Sequence, residues 1–252
     1  MTTNLIVGAG TGLDHWNNAR CLMNMPHIDL TRLVPEGARA VIVAPHPDDE
    51  ILGCGGVLQL LHAAGRSLLL ISITDGTASH PGSSAWPPER LRQVRPQESE
   101  EALIRLGLSG LNWVRGGFED TQVASDEDTV STFIKQHLRP GDVVFATWRE
   151  DGHSDHDAVG RASSRAAEAV GAILHEVPLW AWHWAHDDDP RVPWKRARKV
   201  CMSPYAIARK RYAAQAFTSQ LERDPSTGLQ AVLPASVLER LLQPFEVVFL
   251  QE

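Results

Sequence analysis

The sequence predicts a three-layer α/β/α domain built on a mostly parallel sheet. Three observations carry that prediction. Short apolar runs without polar alternation recur along the chain, as strands buried on both faces require. Helical patterns joined by short links separate them, which implies βαβ units. The 252 residues, 43% hydrophobic and 22% charged, suffice for one sizeable core, with no low-complexity linker and no internal repeat.

The elements follow in order. Residues 1–36 read as an N-terminal extension packed over a single domain that occupies residues 37–252. "GAGTG" (8–12) falls short of GxGxxG and has no strand before it, so it is not read as a nucleotide loop. "AVIVA" (40–44) is the first strand, and a helical pattern spans 50–65. "SLLLISIT" (67–74) is the second strand. The next helical pattern, about 88–107, contains Pro96, which either opens a new helix at its first turn or kinks a long one. "LNWVR" (111–115), a helix at about 126–138, "DVVFAT" (142–147) and a helix over 155–171 complete the regular part, with right-handed crossovers. Thereafter the pattern loosens. "ILHEVPLWAWHW" (173–184) reads as strand then loop, 204–221 as one helix, and "FEVVFL" (245–250) as a late strand. "WKRARK" (194–199) reads as a solvated surface segment.

A formal net charge of −7 weighs against nucleic acid and anionic membranes, which both need a basic face. No apolar run approaches the length of a membrane span. The N-terminus lacks the basic and apolar regions of a signal peptide. Cys21, Cys54 and Cys201 share no metal-ligand spacing and give no disulfide framework, so a reducing cytoplasm is expected. Homo-oligomers are left open.

In parallel sheets, ligands bind beyond the carboxyl ends of the strands. Four polar clusters fall there. His46, Asp48, Asp49 and Glu50 follow the first strand in "APHPDDE", and Asp75 follows the second. Asp120 follows the third in "GGFEDTQ", and His153, Asp155, His156 and Asp157 follow the fourth in "WREDGHSDHD". The acids of the first cluster repel one another, so something positive should offset them. Histidine and carboxylate together suit a divalent transition metal, and Zn²⁺ takes both readily. The start of a helix near Glu50 also favours negative charge. An Asp-rich turn taken alone is often only a helix cap, and a lone HxxH is weak. Two complementary clusters at two strand ends favour a metal. Two histidines and an aspartate with an open position form the pattern of a catalytic zinc site holding water, with a spare carboxylate to take its proton.

"APHPDDE" with downstream "DGHSDH" resembles the PIG-L/LmbE family of zinc-dependent deacetylases, over about residues 38 to 175, and "KRYAAQAFTSQ" (210–220) resembles that family's late helix. The resemblance implies a Rossmann-like fold and hydrolysis of an N-acetyl or other N-acyl group on an amino-sugar substrate or glycoconjugate. It implies His46, Asp49 and His156 as ligands of Zn²⁺ or another divalent metal, and Asp48 as general base. His153, protonated, would stabilise the tetrahedral oxyanion, and Asp155 would orient a histidine. Arg95 and Asp120 fall where relatives have polar residues near the sugar.

Trp148 and the tryptophans of "WAWHW" (180–184) form either a sugar-stacking wall or core. Trp180, Trp182 and Trp184 would share one face of a strand, with His183 on the other. Cys54, in "GCGG", reads as a buried apolar thiol. Rival readings are an amidase of another N-acyl metabolite, such as a thiol conjugate or antibiotic intermediate, and a non-catalytic metal-binding module. A phosphoesterase would need a basic phosphate site that these motifs lack.

Overall fold

The computed structural model describes residues 6–251. Residues 1–5, where the expected extension begins, and residue 252 lie outside the described residues. Helices α1 (Leu13–Asn17), α2 (Arg20–Met23) and α3 (Leu30–Leu33) precede β1 (Ala40–Ala44). Then come α4 (Asp49–Ala63), β2 (Leu68–Thr74), α5 (Pro88–Leu106), β3 (Asn112–Phe118), α6 (Glu127–His137) and β4 (Val143–Thr147). Next are α7 (Ser154–Val170), β5 (Ile173–Val177), α8 (Ala181–Trp184) and β6 (Ala197–Cys201). The chain closes with α9 (Pro204–Ala214), α10 (Thr218–Leu221), α11 (Ala235–Leu241) and β7 (Phe245–Phe249).

The sheet runs β3-β2-β1-β4-β5-β7-β6. Its first five strands are parallel, while β7 pairs antiparallel with β5 and β6. β1 shows why its residues were readable as a central strand. Successive side chains point to opposite faces. Ala40, Ile42 and Ala44 pack in one core with Ile51, Leu58, Leu70 and Phe217. Val41 and Val43 pack in a second with Ile71, Ile134, Val144 and Val159. Helices cover both faces, which is the expected three-layer α/β/α architecture. Because β1 lies between β2 and β4, the chain reverses its direction of travel across the sheet at β1 and β4. A crevice opens at such a point, beyond the carboxyl ends of the strands.

One alternative is decided and three expectations need correction. α5 passes through Pro96 as one helix, started by Pro88 at its first turn and ended by Gly107 in the left-handed region (φ 87°). "WKRARK" is not wholly a solvated segment: residues 197–199 belong to β6, the last strand of the sheet, and residues 26–28 pair with its outer edge at Lys199. The single helix expected over 204–221 breaks at residues 215–217 into α9 and α10. Lastly, "AWHW" is a helical turn, so its tryptophans do not share a strand face.

Residues 6–36 are tied down by both packing and hydrogen bonds. Trp16 lies edge-on to Trp182 at 5.1 Å and donates its indole N–H to Trp182 O at 2.9 Å. Ile28 N donates to Lys199 O, and Lys199 N donates to Pro26 O.

Candidate active site

The turn between β1 and α4 is strained and heavily braced. Asp48 has φ 119°, a region costly for any side-chain-bearing residue, at roughly 1–3 kcal/mol. Such strain persists only where the surroundings overdetermine it. Asp48 N donates to Glu50 Oε2 at 3.0 Å. Thr74, at the end of β2, donates both its backbone N–H and its hydroxyl to Pro45 O. Arg95 reaches in from α5 and donates to Pro47 O at 2.7 Å, Asp48 Oδ2 at 3.1 Å and Gly76 O at 2.7 Å. Gly76 is required there, since a Cβ would meet Arg95 Nη1 at 1.8 Å.

Arg95 therefore belongs to Asp48. It lines the pocket, as expected of a substrate residue, but the residue is only 3% exposed and both its Nη atoms brace the turn. It is one of the positive groups that offset the acids. The others are histidines.

Asp49 Oδ2 lies 3.3 Å from His46 Nδ1 and 3.3 Å from His156 Nε2. These three ligand atoms lie within 4.8 Å of one another. Each histidine turns its other nitrogen to a carboxylate. His46 Nε2 is 3.1 Å from Asp120 Oδ1 and 3.3 Å from Asp155 Oδ2, and His156 Nδ1 is 2.9 Å from Asp151 Oδ2. Carboxylate–histidine pairs of this kind fix the ring and its tautomer in metal sites. The donor set of two imidazoles and a carboxylate suits a divalent metal. The buried Asp155 Oδ1, which has no hydrogen-bond partner among the described residues, adds to the surplus of negative charge.

Asp151 was not singled out from the sequence. It is fully buried, and besides His156 it accepts the backbone N–H groups of Leu179, Trp180 and Ala181. It thus ties the loop after β5 to the site. The only signal was an acid five residues before His156 in a motif already rich in acids. Asp155, expected to orient a histidine, sits against His46 and also accepts from Thr121 N at 2.8 Å. Asp120, expected near the sugar, has its carboxylate on His46 and on Ala78 N, so it is largely occupied.

Electrostatics divide the groups. Burial raises the Asp48 carboxyl to about 8; Arg95 opposes the rise and Asp49 adds to it. For Asp49, burial would also raise the pKa, but His156 and His46 override it and hold the group ionised, well below the usual carboxylate range. His156 rises to about 9 and His46 well above its ordinary value: burial opposes both rises, but Asp49 and Asp151 act on the first, and Asp120, Asp155 and Asp49 on the second. His153 falls to about 3, through burial and then repulsion by His156 and His46.

Burial and the neighbouring imidazoles thus favour the neutral form of His153 over the protonated form expected. Its Nδ1 accepts from Asp155 N at 3.3 Å, at the N-cap of α7, which leaves the ring proton on Nε2. A neutral imidazole can still donate that proton to a hydrogen bond.

A metal must displace the protons of His46 and His156, so loading depends on pH. Both pKa values are raised, so the competing protons are present below about pH 9 and leave as the pH rises through it. Chelator-competition titrations should show the apparent Zn²⁺ affinity falling by about tenfold or more per pH unit between pH 8 and 6. A flat profile would contradict this ligand assignment.

The pocket encloses about 710 Å³, part of it open to solvent. Ser79, Arg95, Asp120, Thr121 and Gln220 line its polar part; Leu52, Leu179, Trp180, Leu233, Val237 and Leu241 line the apolar part. Of the tryptophans, Trp180 reaches it, stacked on His153 at 6.4 Å. Trp148 does not. It is 3% exposed, stacked on Trp184 at 6.0 Å and edge-on to Phe249 at 5.3 Å, so it is core. His183 bonds Val7 O and Arg240 away from the pocket. Burial pushes the Cys54 thiol well above its ordinary value, which makes it inert.

The family model PIG-L, described as GlcNAc-PI de-N-acetylase, matches residues 41–167. A probable N-acetyl-alpha-D-glucosaminyl L-malate deacetylase 2 of Bacillus cereus is 30% identical over 152 residues, 55% of this chain and 67% of that protein. The 2'-N-acetylparomamine deacetylase of Streptomyces fradiae is 29% identical over 54% of each chain. The chain thus spans about two thirds of the first relative and about half of the second. Among solved structures, N,N'-diacetylchitobiose deacetylase from Pyrococcus horikoshii superposes with a TM-score of 0.59 at 19% identity, over 77% of this chain and 74% of that one. That likeness is one of fold.

Proposed function

The chain belongs to the PIG-L family of de-N-acetylases, and on that premise we propose that it hydrolyses the N-acetyl group of an amino-sugar-containing small molecule with a divalent metal, zinc, as cofactor. The observation that carries the reading is the pairing of two carboxylate-held histidines on Asp49, directly beside the strained, buried Asp48. His46, Asp49 and His156 would hold the ion. When bound, zinc supplies Lewis acidity, polarising the amide carbonyl and making water acidic at neutral pH.

The remaining work falls to the chain. Asp48, aimed by Arg95, takes a proton from the attacking water in its ionised form, which burial makes available only as the pH rises towards about 8. The C–O bond forms at the carbonyl carbon, and charge builds on the carbonyl oxygen. His153 donates its Nε2–H to that oxygen. Asp48 returns the proton to the amide nitrogen as the C–N bond breaks, giving acetate and a free amine. General acid–base help of this kind contributes roughly 10²–10⁴ in rate. A strained carboxylate with a raised pKa has no use in a merely structural metal site, which favours the enzyme over a silent binding module.

In this reading residues 37–252 are the deacetylase domain, and residues 6–36 pack over it. Three free cysteines suit a cytoplasmic protein, and no helix among the described residues is long and apolar enough to cross a membrane. The test is acetate release from a panel of N-acetylated amino sugars and glycoconjugates, with and without chelator. Release from at least one amino-sugar amide, halted by the chelator, is expected. Failure of the folded, zinc-loaded protein on every member would overturn the reading. The apolar part of the pocket favours one second reading, hydrolysis of another N-acyl metabolite, and thiol conjugates in the panel separate the two.

A further inference from the structure

A second cavity lies directly behind the apolar wall of the catalytic pocket. It encloses about 730 Å³, part of it open to solvent, between the N-terminal helices and β7, with Leu13, Trp16, Trp182 and Phe245 among its walls. Leu52 and Leu241 line both cavities. These two side chains therefore stand between the spaces.

The partition is held from behind. Lys210, fully buried, donates from Nζ to Leu52 O at 2.7 Å and to Leu241 O at 3.1 Å. Its charge is met by Glu246 Oε1 at 2.6 Å, and Glu246 in turn accepts from Gly56 N and Val57 N of α4. A buried ammonium thus ties together the backbones of exactly those two residues that the cavities share.

Sheet order says which part of a substrate meets this wall. The loops after β2 and β3 bring Ser79, Asp120 and Thr121 to one flank of β1; the loop after β5, with α11, brings Leu179, Val237 and Leu241 to the other. Sugar hydroxyls need hydrogen-bond partners and belong on the first flank. The acyl group has no polar atom beyond its carbonyl and belongs on the second.

We propose that Leu52 and Leu241 form a gauge for the acyl group, admitting short N-acyl chains, excluding long aliphatic ones, and closing off a cavity that would otherwise accept them. This rests on the hydrolase reading above. Leu241→Ala joins the two cavities. The specificity ratio, kcat/KM for N-octanoylglucosamine over that for N-acetylglucosamine, should rise at least tenfold in this variant, since each methylene moved from water into an apolar site adds roughly fourfold. Leu52→Ala should do the same if the first variant folds poorly. Leu13→Ala enlarges the second cavity but leaves the wall between the two intact, and should leave the ratio within about twofold.

Octanoate binding, followed by calorimetry on the zinc-loaded protein, gives a readout independent of hydrolysis. Tighter octanoate binding in Leu241→Ala than in wild type, with acetate unchanged, is expected. If wild type hydrolyses no N-acylglucosamine, the ratio is taken on the amino sugar that the panel identifies; if it hydrolyses none of the panel, the proposed function fails, and octanoate binding still decides the gauge. Efficient cleavage of the octanoyl amide by wild type overturns the proposal. So does a Leu241→Ala protein with unchanged ratio and unchanged octanoate affinity, or an equal gain in Leu13→Ala.

Discussion

Asp48→Asn is expected to keep its metal while turnover falls by roughly 10² or more, whereas Asp49→Ala loses metal and activity together. The two residues are adjacent and chemically identical, so the split tests geometry rather than composition. Asp49 Oδ2 faces a nitrogen of each histidine, and its loss removes one of three ligand atoms. Asp48 faces Arg95 instead, with its carboxyl raised by burial. Asparagine is nearly the same size and tolerates positive φ better than most residues, but cannot take a proton at neutral pH. His153→Ala should resemble Asp48→Asn, since its Nε2–H would serve the developing oxyanion. Metal content and initial acetate release are measured side by side on each variant. An Asp48→Asn protein that arrives empty, or one within a few-fold of wild-type rate, would remove Asp48 as the base.

The second large effect is on stability. Lys210→Met should cost about 3–5 kcal/mol, read as a lowered midpoint of urea unfolding at unchanged slope. The variant leaves Glu246 buried with backbone N–H groups but no cation, and strips an ammonium from the carbonyls of Leu52 and Leu241. Desolvating two charges is expensive, so the intact pair need not stabilise the fold by much; breaking one half is what costs. A loss below about 1 kcal/mol would mean that water or a shifted side chain compensates, and that the wall behind the catalytic pocket is softer than its bonding implies.

The parts of the fold that could be read from the sequence are those where one force dominates. The parallel strands β1, β2 and β4 are buried on both faces, so they read as unbroken apolar runs. β6 could not be read this way. An edge strand tolerates Arg198 and Lys199, and its pairing with β7 comes from residues far along the chain. The tryptophan run misled for a related reason. Alternating Trp180, Trp182 and Trp184 fit a strand, but Asp151 captures three successive N–H groups at residues 179–181 and starts a helical turn there.

The site divides similarly. His46, Asp49, His153 and His156 could be singled out because local spacing carries one histidine with its acids on one strand end and two histidines with theirs on another. The groups that orient them were legible only in part. Asp155 was expected beside a histidine and lies on His46, but which other carboxylate meets which ring depends on how four loops converge: Asp151 holds His156, and Asp120 joins Asp155 at His46. Arg95 falls in the sequence where the resemblance implies a polar residue near the sugar. Only the fold shows it threaded against Gly76 to brace the catalytic turn. Lys210 was hidden by its type, because lysine on a helix is ordinarily solvated.

The geometry also offers a second grouping of metal-ligating atoms, His46 with Asp120 and Asp155. Here those two acids serve as the carboxylates that aim His46, so one ion per chain suffices. Titrating the chelator-stripped protein with Zn²⁺ while following acetate release from its best amino-sugar substrate decides the matter. Activity should rise from near zero in proportion to added zinc and stop rising at one equivalent per chain, with no rise in His156→Ala. A stripped protein that remains fully active, or one that needs two equivalents, would contradict the account.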